Sequence, residues 1–371
     1  MSTPQDLLPS PEPVQLIGPG GEPTVQEHPR GYALPPTERL LALHRAMVLG
    51  RRFDTQATAL TKQGRLAVYP SSIGQDACQV ATVSALEEGD WFFPTYRDSM
   101  ALFTRGIDPV QVLTLLKGDW HAGYDVAATR TAPQCTPLAT QLIHAAGAGA
   151  GMARRREGGA VLAFIGDGAT SEGDFHEGLN FAAVYKAPVV FVVQNNAYAI
   201  SVPLSKQTKA PSLAYKGIGY GIPSEQVDGN DAAAVAAVMD TALERARSGG
   251  GPTLVELHTY RMDAHTNADD ATRYRESAEV DAWREKDPIV RLEKHLLDTG
   301  ALTEERLEEI RAEAEEMAAT LRERMNTDAE HDPLSLFEHV YAEPTPQLLE
   351  QRAMVAAELA AATADSQEAT R

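Results

Sequence analysis

GDGATSEGDFHEGLNFAAVYKAPVVFVVQNNAYAIS, from Gly166 to Ser201, decides how the chain folds. Residues 161–165 just before it are an apolar run ending in glycine, as a buried parallel strand does, and residues 189–193 are a second such run. Residues 175–185 between them predict the crossover helix. A strand–helix–strand unit is right-handed and points both strands' carboxyl ends the same way. Asp167 and Asn196 sit at those two ends, with 26 residues between Gly168 and Asn195, so they converge on one crevice of a doubly wound sheet. A carboxylate and a carboxamide oxygen, joined by a backbone carbonyl, suit a hard divalent cation such as Mg2+, which completes its octahedron with phosphate oxygens and water. Gly166 and Gly168 let the backbone come close to a diphosphate.

The GDG and NN elements at this spacing resemble the motif of thiamine-diphosphate enzymes. The fuller text, GDGATSEGD with NNAYAIS, is similar to the alpha subunits of 2-oxo acid dehydrogenases. That resemblance implies a thiamine-diphosphate-binding α/β fold, a mainly parallel doubly wound sheet flanked by helices. It also implies a cation shell of Asp167, the Asn196 side chain and the Tyr198 carbonyl, with Gly168 and Ala169 giving backbone N–H groups to phosphate.

Three more clusters match the same family. In FPTYRDS, Tyr96 and Arg97 offer a phenol and a guanidinium fork suited to phosphate oxygens, and the resemblance assigns them to the terminal phosphate. Thr136-Pro137-Leu138-Ala139-Thr140-Gln141 is similar to a stretch that lines the cofactor. The family's leucine wedges under the cofactor there, which makes Leu138 the candidate; by itself it would be read as core. Tyr260-Arg261-Met262-Asp263-Ala264-His265-Thr266 resembles the loop whose arginine and histidine lie over the diphosphate and near the substrate carboxylate, so Arg261 and His265 take those parts. Two histidines are frequent in that loop, whereas this chain has Ala264-His265. Thr266 holds the place of a serine that a dedicated kinase modifies in mitochondrial relatives; no such control is expected here. Gln194 stands where some branched-chain relatives carry an arginine that contacts phosphate. His44, His176 and His295 lie in helical patterns and read as structural or exposed rather than catalytic.

Composition sets the surroundings. The chain has 371 residues, of which 43% are hydrophobic, and a formal charge of −19, which argues against a nucleic-acid surface. No apolar run reaches membrane length, and the acidic amino terminus is unlike a signal or transit peptide, so a cytoplasmic protein is expected. Cys78 and Cys135 read as free thiols. Residues 1–36 carry nine prolines and form an extended arm. Its VQLIGPGGEPT resembles the arm that branched-chain alpha subunits wrap over a partner, and an ordered arm is expected. Residues 37–288 form the α/β domain and 289–371 a helical extension. Helices are expected from Thr37, over 75–86, 140–152 and 231–247 with Asp231 as N-cap, and over 289–298, 304–325 and 345–362. Strands are expected at 91–95 and 253–258.

The resemblance also supplies the function. It implies oxidative decarboxylation of a 2-oxo acid and reductive acylation of the lipoyl group on an acyltransferase core. Branched-chain substrates such as 2-oxoisovalerate are favoured over pyruvate by VQLIGPGG and by ADDATRYR at 268–275. The glutamate and proton-donating histidine that the cofactor needs are absent from this chain's motifs; in the family they belong to a beta subunit within an α2β2 tetramer. Alternatives are a pyruvate or acetoin alpha subunit, a self-sufficient homodimer, and a scaffold that keeps the fold without the cofactor.

Overall fold

In the computed structural model, residues 4–24, 28–119, 122–326 and 332–369 are described, with side chains up to residue 362. The two apolar runs of the opening stretch become strands β2 (Val161–Gly166) and β3 (Val189–Asn195), parallel and in register from Val161↔Val189 to Gly166↔Gln194. Every residue of β3 is buried, so its continuous apolar pattern reflects cover on both faces. The crossover helix runs Gly173–Tyr185 and ends where Lys186 turns into the left-handed region.

Short β1 (Trp91–Phe93) adds to β2, and β7 (Thr253–His258) adds to β3 with Asn195 opposite His258. The far edge is β6 (Ser224–Asp228), so the sheet order is β1-β2-β3-β7-β6 with all five strands parallel. A two-residue antiparallel pair, β4 (Tyr198–Ala199) and β5 (Val202–Pro203), stands apart just after β3. Strand β6 escaped the sequence reading because SEQVD is short and polar.

Odd-numbered residues of β2 and β3 pack with Leu142 and Ala145 of the helix Thr140–Arg155 and with Phe175 and Leu179 of the crossover helix. Helix Ala232–Arg247 lies against β3, β6 and β7 and against the buried helix Asp76–Val83, which in turn packs on the long helix Thr37–Lys62. As expected, Asp231 caps its helix, its Oδ1 accepting from Ala233 N at 3.0 Å and Ala234 N at 3.2 Å.

The arm docks on this chain itself. Val14 forms a parallel bridge with Val227, and Leu16 N and Ile17 N donate to Asp231 Oδ2 at 2.7 and 2.8 Å. Val14 and Ile17 form isolated bridges, to Val227 and Pro23, and the arm covers the open β6 edge, satisfying backbone groups that would otherwise face solvent. Contacts divide the chain into Met1–Arg324 and Met325–Arg371. The first unit includes the helices Pro288–Asp298 and most of Glu304–Met325, whose Leu292, Leu296, Leu307, Ala314 and Leu321 are buried. The second unit holds a short 3-10 turn, Pro333–Phe337, and the helix Pro346–Ala369. No helix among the described residues is long and apolar enough to cross a membrane.

Candidate active site

All twelve residues singled out above line one cavity of about 570 Å³: Tyr96, Arg97, Thr136, Leu138, Gly166, Asp167, Gly168, Ala169, Asn196, Tyr198, Arg261 and His265. The parallel register explains the convergence. Gly166 pairs with Gln194 and Asn195 with His258, so Asp167, Asn196 and the loop after β7 leave the sheet at neighbouring points on its carboxyl edge. The bridge between Thr95 and Cys135 brings Tyr96 and Arg97 alongside Thr136 and Leu138.

Asp167 is 2% exposed, and its Oδ2 accepts from Gln207 Nε2 at 2.7 Å. Burial raises its pKa above the usual carboxylate value, with the Gln207 hydrogen bond and backbone N–H groups opposing. No ion pair to it forms among the described residues. A buried carboxylate in that state is stabilised by a cation. Next to it, a Cβ on Gly168 would fall 2.4 Å from Ala199 Cβ, so only glycine lets the turn pack against β4.

The two asparagines have separate parts. Asn195 Nδ2 turns under the sheet to Glu256 Oε1 at 2.7 Å. Asn196 turns toward the cavity, its Nδ2 donating to Gln75 Oε1 at 2.6 Å and its Oδ1 accepting from Tyr198 N at 3.3 Å. Beyond them Ala197 and Ile200 take positive φ values of 72° and 54°, and Ala139 next to Leu138 has φ 64°. Non-glycine residues seldom occupy this region.

Arg97 is buried. Its Nη1 donates to Ser71 O at 2.8 Å and its Nη2 to His265 Nδ1 at 2.8 Å and His265 O at 3.1 Å. The Tyr96 ring stands edge-on to His265, with centroids 6.0 Å apart. Arg261 lines the cavity and is also hydrogen-bonded to the chain itself. Its Nε donates to Asp263 O at 3.2 Å, its Nη1 to Tyr198 O at 3.5 Å, and its Nη2 to Ile200 O and Tyr274 Oη at 2.7 and 2.8 Å. Four of its five N–H groups therefore go to the protein. Arg261 acts first as a clamp on the Asn196–Ile200 turn. Gln194 also lines the cavity, donating to Asp98 Oδ1 at 2.7 Å and accepting from Gln79 at 3.2 Å.

Leu138 is 46% exposed although it borders a large core, and it projects into the cavity wall. An apolar side chain kept out of the core has an apolar ligand surface as its natural partner. Cys135, half-buried, lines the same wall, and both cysteines are free thiols.

One wall went unread in the sequence. Residues 69–75, YPSSIGQ, form a turn behind Arg97 and Asn196. Buried Asp54 anchors it, accepting from Tyr69 Oη at 3.0 Å, Ser71 Oγ at 2.7 Å, Ser72 N at 2.8 Å and Ser72 Oγ at 2.9 Å. Ile73 O receives Met262 N, and Gly74 O receives the Thr259 hydroxyl. The only local signal was a glycine amid polar residues, and no periodicity marks it.

The donor set fits a diphosphate with a divalent cation. It has the buried Asp167 carboxylate with neutral oxygens around it, the Arg97 guanidinium and the His265 imidazole in the same cavity, and a buried Gln75 Nε2 that has no partner among the described residues. No three His, Cys, Asp or Glu side chains cluster among those residues, so a cation here would take much of its shell from the ligand.

A parallel α/β sheet with a mainly apolar crevice at its carboxyl edge, carrying a few convergent polar groups, has the make-up of a cofactor site. The chain belongs to the dehydrogenase E1 component family, whose model matches residues 44–333. It is 47% identical over 349 residues to the 3-methyl-2-oxobutanoate dehydrogenase subunit alpha of Mycobacterium tuberculosis, covering 94% of this chain and 95% of that protein. It is 40% identical to the pyruvate dehydrogenase E1 component subunit alpha of Acholeplasma laidlawii, over 85% of this chain and 92% of that one. The corresponding Staphylococcus aureus protein is 42% identical over 85% of each. The family is thiamine-diphosphate dependent.

Proposed function

We propose that this chain is the alpha subunit of a branched-chain 2-oxo acid dehydrogenase acting on 3-methyl-2-oxobutanoate, with thiamine diphosphate held through Mg2+. The convergence of all twelve candidate residues on one cavity carries the cofactor reading. The substrate reading is supported by 47% identity to the mycobacterial subunit, against 40% and 42% to the two pyruvate subunits.

Asp167, Asn196 Oδ1 and the Tyr198 carbonyl would hold the cation, and Gly168 and Ala169 N–H groups the diphosphate. Tyr96, Arg97 and His265 face it from the other wall. The cofactor, when bound, supplies the electron sink for loss of CO2. The chain's own residues bind, orient and shield: Leu138 offers a rigid apolar prop, and Arg261 keeps the ligand turn in shape. The acid–base groups come from a beta subunit in an α2β2 assembly, which passes the acyl group to a lipoyl-bearing acyltransferase core. The candidate polar groups still gathered in one cavity speak against a scaffold that has lost its cofactor.

Assayed with its beta subunit and an artificial electron acceptor, the enzyme is expected to turn over 3-methyl-2-oxobutanoate faster than pyruvate or acetoin. A faster rate on pyruvate would overturn the substrate assignment. Asp167→Ala should abolish Mg2+-dependent thiamine diphosphate binding by the complex, and turnover by the alpha chain alone would contradict the divided site.

A further inference from the structure

An asparagine offers a cation its oxygen or turns a nearly identical NH2 group toward it, and only the partners of the amide decide which. For Asn196 the deciding contact is Gln75. Its Oε1 is an acceptor 2.6 Å from Asn196 Nδ2, so the NH2 is drawn to Gln75 and the oxygen lies on the other side, where it meets Tyr198 N. Gln75 comes from the turn before helix Asp76–Val83, far from either strand end in sequence. It is 1% exposed, lines the same cavity as Asp167, and its own Nε2 has no partner among the described residues. A buried amide with its donor unmatched is not placed there by its own hydrogen bonding alone and calls for another reason.

We infer that Gln75 is a positioning residue for the cation: it fixes the Asn196 carboxamide with Oδ1 facing the metal. The inference rests on the reading of Asp167 and Asn196 as cation ligands. Partners behind a metal ligand typically change metal affinity by roughly 10–100-fold when removed.

The test is thiamine diphosphate binding by the complex with its beta subunit, followed by fluorescence quenching or calorimetry across a Mg2+ titration. Gln75→Met, which has no acceptor of comparable strength, should raise the half-saturating Mg2+ concentration roughly tenfold or more. Gln75→Glu, which still accepts from Nδ2, should stay within about threefold of the parent. Assembly should be unchanged in both, and kcat of Gln75→Met should recover at saturating Mg2+. An unchanged Mg2+ midpoint in Gln75→Met, while Asp167→Ala abolishes binding, overturns the inference alone. Gln75→Glu falling as far as Gln75→Met also overturns it. Unchanged binding in Asp167→Ala would instead remove the cation reading itself.

Discussion

Arg97 Nη2 donates to His265 Nδ1 across 2.8 Å. A guanidinium has no acceptor, so Nδ1 must be the unprotonated nitrogen and the imidazole carries its hydrogen on Nε2. The same Nη2 holds the His265 carbonyl at 3.1 Å, which locks the ring and its backbone together. His265 is therefore fitted to donate a hydrogen bond as a neutral ring, and Arg97 sets that tautomer.

His265 should stay neutral through the working pH range. Burial first, then the charges of Arg97 and Arg261, push its pKa down to about 4. In the unfolded chain the ring protonates near the ordinary value of 6.5. Its contribution to stability is thus complete above about pH 6.5 and is lost as pH falls toward about 4. Imidazole resonances of His265 are expected to show no titration between about pH 5.5 and 8. A midpoint near the ordinary value would refute the assignment.

Leu138→Ala should separate activity from stability. The side chain is 46% exposed, so its loss should change unfolding free energy by no more than roughly 0.5 kcal/mol. In the proposed role of cofactor prop it would govern alignment, where a small misplacement costs about 10²-fold in rate. A large fall in melting temperature with little change in kcat would show Leu138 to be a packing residue.

Asp54 should make the fold respond to acid in an unusual direction. Burial pushes its pKa up to about 6 against the hydrogen bonds it accepts. Ser71 Oγ lies 2.7 Å from Asp54 and 2.9 Å from Asp263, and its one hydrogen cannot serve both; a protonated Asp54 resolves the conflict. Because the folded pKa exceeds the unfolded one, this group's contribution improves as pH falls from about 6 to about 4, by roughly 3 kcal/mol in all. Asp54→Asn should therefore look worse, relative to the parent, at about pH 5 than at about pH 7.5 in denaturant titrations. An identical difference at both pH values would exclude it.

Gly74→Ala should be among the most damaging single-methyl additions in the chain. Gly74 has φ 98°, and a Cβ there would lie 2.2 Å from Tyr260 O. Backbone rather than a flexible side chain must move, so a loss of about 2 kcal/mol or more is expected from denaturant unfolding. Full stability in the variant would mean that the 69–75 turn shifts freely.

The fold was legible where pattern and chemistry coincide. Residues 161–165 and 189–193 are apolar on both faces and bounded by glycine or asparagine, so their strands, their direction and the meeting of Asp167 with Asn196 followed from the sequence. Leu138 was legible only through resemblance, since nothing local distinguishes it from a core leucine. Gln75 and the YPSSIGQ turn were not legible, because their part depends on contacts with residues more than a hundred positions away, such as Asn196. Strand β6 was hidden for a related reason: its register comes from β7 and from the arm. The clamp part of Arg261 required seeing Ile200 and Tyr274 together.

The left-handed backbone at Ala139, Ala197 and Ile200 bears on protein engineering. A non-glycine residue held there costs roughly 1–3 kcal/mol, so a search for heat-resistant variants would be drawn to these positions early. They flank Leu138 and Asn196, the proposed cofactor prop and cation ligand. Thermal hardening and catalytic competence would then select on the same three residues in opposite directions. A robust industrial form of this enzyme is better sought in the β6 edge and its arm.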